Sequence, residues 1–67
     1  MMRLFHRNVK DDFEAWLEAD LVTAHGLRVV SVCQDLTSRW HVYFEAPEAF
    51  GPDELDKWVE SYYREKS

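Results

Sequence analysis

The sequence lacks the features that hold many very short chains together. It has one cysteine, Cys33, so an internal disulfide is excluded, and its histidines are too scattered to match a structural zinc pattern. A chain of 67 residues buries only about 60% of the surface that it exposes when unfolded. We therefore expect aromatic packing or oligomerisation to stabilise the fold, and the chain supplies three Trp, four Phe and three Tyr.

Long apolar runs are also missing. No segment has the basic start and apolar run of a signal peptide, and no stretch approaches the roughly 18 apolar residues of a membrane span. A free thiol without an export signal predicts a cytoplasmic protein that does not enter a membrane. With two glycines, two prolines and no low-complexity tract, residues 1–67 are predicted to form one domain.

Motifs for chemistry are equally scarce. The chain has no phosphate-binding glycine loop, no metal-ligand spacing and no Ser/His/Asp set. Cys33 and His41 are the only residues that suggest a nucleophile and a base, but the predicted strand register places them on opposite faces of a sheet. We therefore expect no enzymatic activity, no metal, no cofactor and no small-molecule substrate.

What the sequence does contain is charge sorted by segment. Thirteen acidic residues against eight basic ones give a net charge of −5, and ten of the acids fall in two segments with helical patterns. Four of the five arginines fall instead in strand-like segments: Arg3, Arg7, Arg28 and Arg39. If this sorting persists on folding, one face of an acidic molecule is basic and aromatic, which makes it a candidate binding surface.

Three segments have strand patterns. Residues 2–7 alternate as a short half-buried strand, with Arg3, Phe5 and Arg7 on its outer side. Residues 27–34 and 39–46 are predicted to form a hairpin around the turn at residues 35–38. In a symmetric register of this hairpin, Gln34 faces Arg39, Val29 faces Phe44 and Arg28 faces Glu45. Cys33 then lies on the core side, and Val30 and Val32 lie on the other side.

Two segments have helical patterns. Asp11 is predicted to cap the start of the first helix, and Gly26 is predicted to end it. Pro52 suits the first position of the second helix. The predicted core side of the first helix consists of Phe13, Trp16, Leu17, Leu21 and Ala24.

These segments predict an α+β fold in the order β-α-β-β-α. It is a two-layer sandwich in which both helices pack on one face of a three-stranded sheet. Trp16, Trp40 and Trp58 are expected to meet in one core. The topology resembles a ferredoxin-like fold without its last strand, which is an architectural analogy and implies no function.

The opposite face of the sheet is predicted to stay uncovered. It would present Arg3, Phe5, Arg7, Arg28, Val30, Val32, Arg39, His41 and Tyr43. Arginines around an apolar centre favour a protein-binding module that docks on a partner protein or pairs with a second copy. Alternatively, these apolar residues have no binding role and occur there because valine and aromatic residues favour strands.

Two other binding modes stay open. Arginines and aromatic residues on an exposed sheet also occur in modules that bind single-stranded nucleic acid. The acidic helix faces could instead inhibit a basic protein by mimicking nucleic acid.

Asp20 is the one local inconsistency. It falls in the middle of the predicted apolar side of the first helix, where an unpaired carboxylate is costly. Either this turn overhangs the sheet, so that Asp20 reaches water or a nearby backbone N–H, or Asp20 forms a buried pair with His6, which the predicted alternation directs toward the helices.

Overall fold

The computed structural model describes residues 1–66, which form three strands and two helices. These elements are β1 (Met2–Val9), α1 (Asp12–Ala24), β2 (Arg28–Gln34), β3 (Trp40–Pro47) and α2 (Pro52–Lys66). The central strand β3 is antiparallel to both neighbours, and the strand order is β1-β3-β2. The predicted α+β fold and its element order are confirmed.

Local signals set the helix ends as predicted. The side chain of Asp11 accepts a hydrogen bond from the backbone N–H of Glu14 at 2.9 Å. After α1, Gly26 has a φ of 81°, and the N–H of Leu27 donates to the carbonyl of Val22 at 3.0 Å. The second helix begins at Pro52.

The side chains of β1 point the opposite way from the prediction. Phe5 lies opposite Phe44, and Arg7 lies opposite Val42. Both partners on β3 are fully buried under the helices. Because alternate residues of a strand share a face, Arg3, Phe5 and Arg7 all belong to the covered side, and their predicted place on the open face is wrong.

The length of β1 explains this difference. The prediction ended the strand at residue 7 and took the side of Arg3, Phe5 and Arg7 as the outer one. The strand continues to Val9, which is 7% exposed and lies on the same side as Phe5. Phe5 stacks on Phe44 with 5.6 Å between the ring centroids, so this side is the one that packs in the core.

The hairpin register also differs from the prediction near its turn. The loop spans residues 35–39, one residue more than predicted, so Gln34 lies opposite Trp40. A β-bulge at Val30 absorbs the difference, because β2 has one residue more than β3 between its paired positions there.

The bulge decides which β2 residues are covered. Before it, Val29 pairs with Phe44 as predicted. Beyond it, the faces are exchanged relative to the prediction, so Val32 lies on the covered side while Ser31 and Cys33 lie on the open side. The predicted exposure of Val32 and burial of Cys33 are therefore both wrong.

Helix α1 turns a different side to the sheet from the one predicted. Its buried residues are Ala15, Leu17, Glu18, Ala19 and Val22. Phe13 and Trp16 remain 58% and 54% exposed. Trp16 thus does not join Trp40 and Trp58, which pack against the core, and the expectation of a three-tryptophan core is wrong.

The core lies between β3 and the two helices. Val42, Phe44 and Leu55 are fully buried, and Phe50 meets Phe44 edge-on with 5.7 Å between centroids. Both helices therefore lie on one side of the sheet and leave its other side uncovered. Neither helix within residues 1–66 is long and apolar enough to cross a membrane.

Candidate binding surfaces

The uncovered side of the sheet, here called the open sheet face, retains only part of the predicted interface. Its residues are Met2, Leu4, His6, Asn8, Arg28, Ser31, Cys33, His41, Tyr43 and Glu45. Arg28, His41 and Tyr43 belong both to the predicted interface and to the observed open sheet face. Val30 is 48% exposed in the bulge, and Arg39 is exposed in the hairpin loop.

The open sheet face has an apolar end and internally paired charges. Met2 and Leu4 are 53% and 56% exposed and lie on the same side of β1. Beside them, the guanidinium of Arg28 donates to the carboxylate of Glu45 at 3.2 Å. This pair brings the two side chains together as the predicted register requires.

A chain of hydrogen bonds crosses the other end of the face. The Oδ2 atom of Asp35 lies 2.7 Å from Nε2 of His41, and Nδ1 of His41 lies 2.7 Å from Nε2 of His6. Because a carboxylate only accepts, Nε2 of His41 carries a proton, and a second proton lies between the two imidazoles. His6 also stacks on Tyr43 with 4.7 Å between centroids.

These contacts overturn the predicted pair of His6 and Asp20. His6 lies on the open sheet face, whereas Asp20 belongs to α1 on the covered side, so the sheet separates the two. Asp20 is exposed and forms no hydrogen bond or ion pair with any described residue. The other expectation for Asp20, that its carboxylate reaches water, is consistent with this exposure.

Asp35 holds the hairpin loop together. Its Oδ1 atom accepts hydrogen bonds from the hydroxyl and backbone N–H of Thr37 and from the backbone N–H of Arg39, at 2.6, 2.8 and 3.1 Å. The hydroxyl of Thr37 and then the ring of His41 lower the pKa of the Asp35 carboxyl well below its usual range. The carboxylate form therefore organises this loop.

Cys33 and His41 lie on the same face, contrary to the prediction. They are directly opposite each other in the β2–β3 pairing, and the Cys33 thiol is free and exposed. Both ring nitrogens of His41 are already hydrogen-bonded, to His6 and to Asp35, so no nitrogen is left to activate the thiol. Within residues 1–66, no three His, Cys, Asp or Glu side chains are placed to hold a metal ion.

On the covered side, Arg7 joins both helices to the sheet. Its guanidinium donates to Glu18 of α1 at 3.0 and 3.3 Å and to Asp56 of α2 at 2.6 Å. Burial alone would lower the pKa of Arg7, but the hydrogen bonds and negative charges of Glu18 and Asp56 outweigh it and raise that pKa. An arginine predicted to bind a partner thus forms an internal ion pair.

The second surface is a groove between the helices, here called the aromatic groove. It is lined mainly by Phe13, Trp16, Leu17, Asp20, Leu21 and Tyr62, and has a volume of about 600 Å³. The sequence pattern assigned its apolar α1 residues to the core, and of these Leu17 is buried there while Phe13 and Trp16 are exposed. The signal that this assignment missed is a second apolar side on α1, formed by Ala15, Ala19 and Val22, which packs in the core.

The nucleic-acid alternative loses its main residues. Phe5 packs against Phe44 and Phe50 and is not available to stack on a base. Arg7 is held by two carboxylates, and Tyr43 of the open sheet face is stacked with His6. No observation in the described residues favours this alternative.

Comparison with known proteins adds no relative, because no protein-family model, curated protein or solved structure matches the chain.

Proposed function

We propose that the protein is a small non-enzymatic protein-binding module that forms a two-fold dimer by packing the open sheet faces of two copies together. The observation that carries this proposal is the pair of exposed apolar side chains, Met2 and Leu4, on a sheet face that none of the described elements covers. Soluble sheets normally present polar residues to water on such a face. A second copy would bury both side chains.

The charge distribution supports contact through this face. On the open sheet face Arg28 is paired with Glu45, so these two charges compensate each other. Most of the acidic residues that give the chain its net charge of −5 lie instead in the helical layer. Like-charge repulsion between two copies is therefore smallest when they meet sheet to sheet.

The molecule is also large enough on its sheet side to form a stable dimer interface. The molecule measures 33 × 32 × 16 Å, and as a two-layer structure it has the sheet on one of its broad sides. A stable interface needs about 800 Å² from each partner, which a side of this size can supply.

Light scattering over a concentration series tests the proposal. The wild type should approach twice the chain mass of 8.0 kDa as concentration rises, whereas Leu4→Lys should stay monomeric. Leu36→Lys is a matched control, since Leu36 is fully exposed in the hairpin loop and outside the face; it should dimerise like the wild type. A wild type that is monomeric at every concentration, or an equally dimeric Leu4→Lys variant, would overturn the proposal.

A further inference from the structure

Helix α1 leaves both of its aromatic side chains exposed while it buries the small side chains Ala15 and Ala19. Ala15 and Ala19 are 0% and 5% exposed, whereas Phe13 and Trp16 are more than half exposed. A surface helix that packs on a single core normally does the reverse. The aromatic groove is thus a second apolar side of α1, and among residues 1–66 Tyr62 of α2 is the one residue from another element that lines it.

The groove has the dimensions of a helix-binding site. Its α1 residues recur along one side of the helix from Phe13 to Ala24, which corresponds to roughly 17 Å at 1.5 Å per residue. That length matches about three turns of a partner helix. An amphipathic helix fills such a groove with apolar residues spaced three and four positions apart.

The charges of the groove indicate the partner's chemistry. Asp20 lies in the middle of the apolar lining and has no partner among residues 1–66, and Asp12 lies at one end. A cationic side chain next to Asp20 would neutralise a carboxylate that loses water when the groove is filled.

We infer that the aromatic groove binds an amphipathic helix of a partner protein, with its apolar side against Phe13, Trp16 and Leu21 and a lysine or arginine against Asp20. A second copy of the chain does not fit this description, because a two-fold contact here would bring Asp12 and Asp20 toward the same groups of the other copy. The groove and the open sheet face lie on opposite sides of the molecule, so this inference does not depend on the dimer.

Titration calorimetry with two synthetic helical peptides of about four turns tests the inference. One peptide carries leucine on its apolar side and lysine elsewhere, and the other replaces each lysine by glutamate. The wild type should bind the lysine peptide saturably and the glutamate peptide at least about tenfold more weakly. Equal binding of both peptides, or no saturable binding of the lysine peptide, would overturn the inference.

Variants locate the site on the protein. Asp20→Asn should weaken binding of the lysine peptide by about tenfold, as expected for one charge-assisted contact, and Trp16→Ala should weaken it at least as much. Asp53→Asn and Leu36→Ala are matched controls at exposed positions outside the groove, and they should bind like the wild type. Circular dichroism checks that each variant is folded, and unchanged affinity in folded Asp20→Asn and Trp16→Ala would also overturn the inference.

Discussion

Arg7 was predicted to lie on the open face of the sheet, but its charge lies inside the molecule, between the sheet and the helices. Its partner Glu18 is only 4% exposed, so the two charges compensate each other in a largely dry setting. A buried carboxylate is tolerated only while its partner is present. Arg7 and Glu18 therefore act as a unit that also fixes which side of α1 faces the sheet.

Replacing Arg7 by Met should destabilise the fold by about 3 kcal/mol, because it leaves Glu18 buried without a partner. The double variant Arg7→Met/Glu18→Leu should recover most of this loss, since no unpaired charge remains. Urea unfolding measures both values. Arg28→Met removes an ion pair whose arginine side chain is 76% exposed and should cost less than about 1 kcal/mol; an equal cost for both arginines would contradict the role of Arg7.

At the scale of elements, the hairpin loop depends on the ionised form of Asp35. Because the folded state lowers the pKa of this carboxyl, the unfolded chain takes up the proton first as the pH falls. The stabilisation is therefore fully present above the ordinary pKa of about 3.9 and is lost progressively below it. It makes no contribution to any change in stability between pH 5 and pH 8.

Asp35→Asn should lower the thermal midpoint at pH 7, and the gap to the wild type should narrow as the pH falls below about 4. Thermal unfolding followed by circular dichroism at several pH values measures this gap. Glu48→Gln is the control, because Glu48 is exposed and its carboxylate makes no side-chain hydrogen bond among the described residues. Its thermal midpoint should stay close to that of the wild type at every pH. A constant gap for Asp35→Asn from pH 7 to pH 3 would contradict the assignment.

The elements also show how far sequence reasoning reaches. The helix ends follow from Asp11, Gly26 and Pro52, whose signals act within a few residues and need no tertiary information. Which side of β1 faces the core is indicated by Val9, and the predicted strand ended at residue 7 and so left Val9 out. Helix α1 has two apolar sides, and periodicity within the helix does not say which of them faces the sheet; the contact of Glu18 with Arg7 joins two elements and is not readable from the helix alone. The aromatic groove follows from that choice of side and was missed for the same reason.

The whole molecule separates its charge into layers. The acidic residues lie mostly on the two helices, whose own basic residues are fewer, and one internal arginine compensates only Glu18 and Asp56. Repulsion within this layer opposes the compact state. It also makes the helical side the one that attracts a basic partner.

Added salt should therefore raise the stability of the wild type. Increasing sodium chloride from about 0.01 M to about 1 M shortens the screening length from about 30 Å to about 3 Å and weakens the repulsion. The thermal midpoint should rise, and it should rise less for Glu65→Lys, which changes the net charge from −5 to −3. A midpoint that is independent of salt would show that the acidic layer carries no net repulsion.

The bulge at Val30 gives β2 two pairing frames, one on each side of a single extra residue. The loop at residues 35–39 shifts the pairing of β2 with β3 by one position, and the bulge shifts it back. If Val30 were kept but paired regularly instead of bulging, the frame set by the long loop would continue to Arg28, and Val29, which now faces inward, would face outward. Deletion of Val30 would instead join the two frames, with Ser31 still opposite Tyr43 and Val29 still opposite Phe44. The bulge thus fits one extra residue into β2 without changing which side chains near Arg28 face the core.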